Sequence, residues 1–233
     1  MRLTNHLLLT FAATVALSTM ALPMGYGAER FDHLVRNDFF AGFQGDQAAL
    51  NRGLEKTAAI LAQNPQHAEA MVWHGTGLFY QSGQAFRTGD QAKGMELYGK
   101  GIGMMKQAVA LDPRNPGVRI PRGSVLLSAA RSMPPQMAEA LRADGLSDFL
   151  TIYDQQKGNL AELGEHPRGE LLLGIADSYS RMGETQKAEE FFLMIQKLLP
   201  EKSPYAKSAA LWLEKKEPLP ARQAGCFGCH TAK

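Results

Sequence analysis

The chain has 233 residues, 45% of them hydrophobic, and its 25 Lys and Arg against 23 Asp and Glu leave a formal net charge of +2 at pH 7. That balance excludes both the strong basic excess of a general nucleic-acid binder and the apolar-poor composition of a disordered chain. The only two cysteines, Cys226 and Cys229, lie together near the carboxyl terminus, so a disulfide framework is excluded as well.

From the amino terminus, Arg2 precedes an apolar run from Leu7 to Leu17, and the small residues Gly25, Gly27 and Ala28 follow. This pattern predicts a secretory signal peptide over 1–27, with cleavage after Gly27, the alternatives being cleavage after Ala28 and an uncleaved amino-terminal anchor. Ser18, Thr19 and Pro23 interrupt the run, which falls short of the ~20 residues a membrane-spanning helix needs. The expectation is an exported protein, periplasmic or otherwise extracytoplasmic, with no nucleic-acid partner and no membrane span once the leader is removed.

Helical periodicity dominates the rest, and no alternating strand pattern competes. The spacing predicts an all-α fold of helical hairpins, pairing 31–44 with 46–64, 67–82 with 92–111, 118–132 with 136–164 (broken near Gly145), and 168–182 with 184–199. Pro65, Pro113, Pro167 and Pro200 stop or punctuate helices. Irregular insertions are expected around Ser82 to Gly94 and at Met133-Pro134-Pro135. Phe31, Phe39, Phe40 and Phe43 have helical spacing and read as core of the first hairpin, not as a binding patch. A closing helix over 204–216, with Ala209, Ala210, Leu211 and Leu213, covers the last apolar face, because an uncapped array would leave that face in water. Lys215-Lys216-Glu217-Pro218-Leu219-Pro220 cannot continue it and leads into an extended tail. The domain organisation expected is leader 1–27, helical domain 28–216 and tail 217–233.

The segment Gly169 to Pro200 places Leu172, Ile175, Ala176 and Tyr179 on one helix, Gly183 at the turn, and Ala188, Phe192 and Ile195 on the next helix. It resembles the tetratricopeptide repeat, although Leu172 stands where that family usually has Trp. Of the intervals between helix stops, only the last has the usual period of about 34 residues. The resemblance implies a tetratricopeptide-like helical hairpin array whose groove holds a partner protein or peptide.

The tail ends Gly225-Cys226-Phe227-Gly228-Cys229-His230-Thr231-Ala232-Lys233. Cys-x-x-Cys-His is the attachment signature of haem c: two thiols form thioethers to the porphyrin vinyl groups, and the adjacent imidazole becomes the proximal iron ligand. Over these five residues the chain resembles the c-type cytochromes. Cys226 and Cys229 are then the covalent tethers of one haem per chain and His230 is the proximal ligand. Export independently supplies the compartment in which such attachment occurs. A dithiol or zinc site on the same residues is the competing reading, and zinc would lack a fourth protein ligand nearby.

Most small cytochromes c carry the motif early and a distal Met far downstream, whereas only Thr231, Ala232 and Lys233 follow it here. Any distal ligand must come from upstream. His74, in Trp73-His74-Gly75, is the speculative distal candidate, facing the inner groove in one helical register and the core in the other. Met133, Met182 and His166 are weaker ones, and an open sixth position is an equal alternative. A porphyrin on a free tail would be wet, so the helical domain is the wall on which it should dock. Arg114, Arg119, Arg122 and Arg131 are candidate propionate anchors, against the plainer reading of a solvated helix face.

The leading functional expectation is an exported monohaem c-type cytochrome that transfers electrons to or from a partner docked on the repeat domain. The alternatives are a non-catalytic repeat scaffold, or a cytochrome-assembly factor, with a structural or sensing haem. No nucleophile, general-base pair or Gly-rich phosphate loop stands out, so an electron carrier or binding protein is favoured over a substrate-converting enzyme.

Overall fold

Helix boundaries follow the punctuation of the sequence closely. The structure, a computed structural model, describes residues 30–220, so the leader over 1–27 and the motif residues Cys226, Cys229 and His230 lie outside the described residues. The described chain forms α1 (Asp32–Phe43), α2 (Gln47–Gln63), α3 (Ala68–Arg87), α4 (Gln91–Leu111), α5 (Pro116–Ala130), α6 (Pro135–Gln156), α7 (Glu165–Arg181), α8 (Thr185–Leu198) and α9 (Pro204–Lys215). A 3-10 turn at Leu160–Glu162 precedes α7, and no strand occurs among the described residues. The fold is all-α.

Three turns share one device. Gly45, Gly89 and Gly183 sit between α1 and α2, α3 and α4, and α7 and α8, at φ of 112°, 86° and 76°. A Cβ would be strained at each, which is why glycine stands there. An acidic residue follows every time, and the carboxylates of Asp46 and Asp90 accept from the backbone N–H groups of Ala49 and Lys93, capping α2 and α4. Gly-Asp-Gln-Ala occurs at 45–48 and again at 89–92, an internal repeat that the stop-residue spacing overlooked. The turn into α6 instead uses Pro134-Pro135, with Pro135 in the first helical turn, where its missing N–H costs nothing.

Consecutive helices pair as hairpins α1/α2, α3/α4, α5/α6 and α7/α8. Each second helix packs on the following first helix, and α1, α3, α5, α7 and α9 touch in succession. Two apolar clusters run through the stack. One, from α1 to α6, contains Phe39, Leu50, Val72 and Met105. The other centres on Leu172, Ile175, Ala176, Ala188, Phe192 and Ile195, all wholly buried. Small residues set the helix spacing: a Cβ on Gly75 would lie 2.9 Å from the Gly101 carbonyl oxygen, and one on Gly101 would lie 2.8 Å from that of Gly75. This lets α3 and α4 approach backbone to backbone.

Several expectations change. α3 does not stop at 82 but runs to Arg87, because Ser82 turns inward and its hydroxyl donates to the Phe79 carbonyl at 2.6 Å. α6 is unbroken at Gly145, where a Cβ would meet Leu127 at 2.8 Å, so that glycine serves close packing and not a bend. α6 ends at Gln156, well before 164. Pro167 does not separate helices but sits in the first turn of α7. In α9 the buried anchor is Trp212, stacked on Phe192 with centroids 4.4 Å apart, whereas Ala210 is exposed.

Candidate functional site

The first helices of the hairpins share a groove of about 540 Å³. Phe31 just before α1, Phe40 and Phe43 of α1 and Trp73 of α3 form its aromatic side. Pro116, Ile120, Pro121 and Val125 of α5 form the opposite side, and His166, Pro167 and Glu170 close it at the start of α7. Phe39 is wholly buried core, and Phe31, Phe40 and Phe43 are half-buried and pack against the same cluster, as their spacing predicts, while their remaining surface lines the groove. Helical spacing places such residues on one side of α1, but only the packing of α3 and α5 decides which of them stay open.

Two backbone and side-chain details add polarity to this apolar wall. Trp73 is 5% exposed, and its indole N–H is buried without a hydrogen-bond partner among the described residues. Pro121 lies inside α5, so the Gly117 carbonyl loses its usual helical donor, and both residues line the groove. Asp32 pairs with Arg30 at 3.0 Å and Arg36 at 3.3 Å at one end. At the other, Glu170 accepts from the Ser124 hydroxyl at 2.9 Å, and His166 Nδ1 lies 2.6 Å from the Tyr205 hydroxyl.

His74 is placed between α2 and α3, with Nδ1 2.8 Å from the Thr57 hydroxyl, which also donates to the Gly53 carbonyl at 2.9 Å. Burial pushes its pKa below the ordinary histidine value, and a hydrogen bond to the Leu54 backbone opposes that shift. The neutral imidazole is thus favoured. Met133 packs at the edge of the first cluster, and Met182 is exposed at the end of α7.

The arginine candidates separate. Arg122 grips the wholly buried Asp148 with two bonds of 2.6 and 2.8 Å, and Arg119 adds a third at 2.6 Å. Burial pushes the Asp148 carboxyl up, while the two guanidiniums oppose the shift. Arg131 and Arg181 both donate to one oxygen of Asp177 at 2.9 Å. Arg119, Arg122 and Arg131 are therefore neither a solvated face nor open anchors, because carboxylates from α6 and α7 engage all three, each carboxylate being shared by two arginines. Only Arg114 lies exposed.

After α9 the chain passes Lys216 at φ 56° and turns back. Leu219, 2% exposed, inserts into the second apolar cluster, and Arg181 at the end of α7 donates to its carbonyl. The root of the tail is thus pinned to the same helix whose first turn closes the groove. Sequence reading placed the tail but not this pin; an isolated Leu between two prolines was the available signal.

Among the described residues no helix is long and apolar enough to cross a membrane, and no cluster of three or more His, Cys, Asp or Glu could hold a metal ion. No protein-family model matches the chain, and comparison with curated proteins and with solved structures found no match.

Proposed function

We propose that the protein is an exported monohaem c-type cytochrome in which a tetratricopeptide-like hairpin array carries the haem and presents it to a redox partner. The observation that carries this reading is Cys226-Phe227-Gly228-Cys229-His230, in a chain that has no other cysteine and opens with a secretory pattern. In this reading Cys226 and Cys229 tether the porphyrin and His230 binds the iron from one side. The haem supplies one-electron transfer at iron. The chain's own part is to hold the tail root through Leu219 and Arg181 and to offer an apolar surface that limits water at the porphyrin edge. The array assignment draws support from the hairpin pairing and the succession of first helices along one face. This reading does not require His74, whose Nδ1 lies 2.8 Å from the Thr57 hydroxyl.

An optical spectrum of protein made with cytochrome c maturation machinery, followed by denaturation and acid extraction, tests the proposal. Haem that stays with the chain and gives the spectrum of a two-thioether product is the expected result. A colourless protein with two titratable thiols overturns it. The groove also favours a second reading, a scaffold that binds a peptide, because repeat grooves accept extended or helical segments. Loaded protein that exchanges no electrons with carriers, yet assembles a complex through the groove, would select that alternative.

A further inference from the structure

Leu219 and Arg181 fix where the tail starts, and the α7 end of the groove lies about one fully extended tether away. α7 has 17 residues, about 25 Å of helix. Leu219 is held by Arg181 at the carboxyl end of α7, and His166, Pro167 and Glu170 line the groove at its amino end. The seven residues from Pro220 to Cys226 extend to about 23–25 Å. Fully extended, the tether therefore spans at most about one length of α7. Residues 221–233, which carry the motif, follow directly on this pinned root.

The chemistry of the groove matches what that tail would bring. Its walls are aromatic and aliphatic, its volume of about 540 Å³ lies in the range of cofactor and ligand pockets, and Trp73 holds a buried indole donor with no partner among the described residues. Its rim carries both signs, with Arg30 and Arg36 beside Asp32, and Glu69 and Glu170 across from them. The tail contributes the cations of Arg222 and Lys233, and a porphyrin adds two carboxylates.

We propose that the groove between α1, α3, α5 and the start of α7 is the intramolecular seat of the chain's own tail, with the porphyrin against Trp73, Phe40 and Phe43. The proposal rests on the haem reading above. It predicts that this face is closed to an outside peptide and that electrons leave through the porphyrin edge the groove leaves uncovered.

The test uses full-length protein in which covalent haem has first been verified after denaturation; absence of haem at that step refutes the motif reading itself. In loaded protein, tryptic cleavage after Arg222 should be at least tenfold slower than in Cys226→Ser/Cys229→Ser protein. Ile120→Glu places a charge on the groove wall at a residue already 40% exposed, so the fold should survive. It should restore fast cleavage and change the Soret circular dichroism. Met95→Glu, at an exposed position on α4, should change neither. Equal cleavage in all loaded variants with unaltered Soret dichroism overturns the seat while leaving the haem in place. Protection that grows with protein concentration also overturns the intramolecular assignment, because it places the tail in a second copy. A groove variant that loses exchange with an electron carrier but keeps tail protection and Soret dichroism overturns it in favour of an outside partner.

Discussion

Replacing Asp148 by Ala would remove a buried carboxylate that accepts three bonds of 2.6, 2.6 and 2.8 Å from Arg119 and Arg122. The guanidinium of Arg122 is itself buried and would lose both of its carboxylate contacts, while Arg119 sits nearer the surface and has the Pro113 carbonyl as a second acceptor. An uncompensated buried charge of this kind costs about 3–5 kcal/mol. Against the ~5–15 kcal/mol that holds a typical domain together, that is a large fraction. For a chain of this size it corresponds to a fall in Tm on the order of 6–20 °C. Urea unfolding followed by tryptophan fluorescence measures it, with the slope required to stay constant. The double variant Asp148→Leu with Arg122→Met, which swaps the pair for apolar groups of similar volume, should recover most of the loss, since it was the unpaired charge that was costly. A loss below about 1 kcal/mol in Asp148→Ala would refute the reasoning, and would mean that water reaches the arginines or that they find other partners.

Phe149 lies between Gly123 of α5 and Gly174 of α7, where a Cβ on Gly123 would come within 2.6 Å of the ring and one on Gly174 closer still. Gly174→Ala should therefore cost about 1–3 kcal/mol in urea unfolding, and adding Phe149→Leu should return part of it; additive losses would argue against the clash. His74 has a folded pKa below its ordinary 6.5, so its neutral form contributes stability that is present above pH 6.5 and lost as pH falls toward the lower folded value. His74→Gln should flatten that part of the stability profile, read from urea midpoints above and below this window, and an unchanged slope would reject the assignment. In loaded protein the same variant should leave the haem spectrum unaltered, and a shift would make His74 an iron ligand after all. The Trp212 indole donates to the Ser180 hydroxyl at 2.7 Å, so Ser180→Ala should cost about 1–3 kcal/mol by orphaning a buried N–H; thermal unfolding with no change in Tm would show that the indole had been re-satisfied.

Sequence alone determined the helical character and most of the hairpin boundaries, because 3.6-residue periodicity and the stops at Pro65, Pro113 and Pro200 are local signals. It also carries the Cys226-x-x-Cys229-His230 motif, whose chemistry depends on spacing within five residues and not on the fold. Tertiary structure decided what such signals leave open. Ser82 extends α3 because its hydroxyl finds a carbonyl one turn back, and Gly145 stays helical because Leu127 needs the space. The arginines read as exposed or anion-binding became internal counterions once α5, α6 and α7 brought Asp148 and Asp177 beside them. The groove likewise exists only after α1, α3, α5 and α7 align, since each contributes a few residues that periodicity cannot distinguish from core. Contacts between residues 26 to 46 positions apart depend on how helices stack, and no local pattern along the chain encodes that.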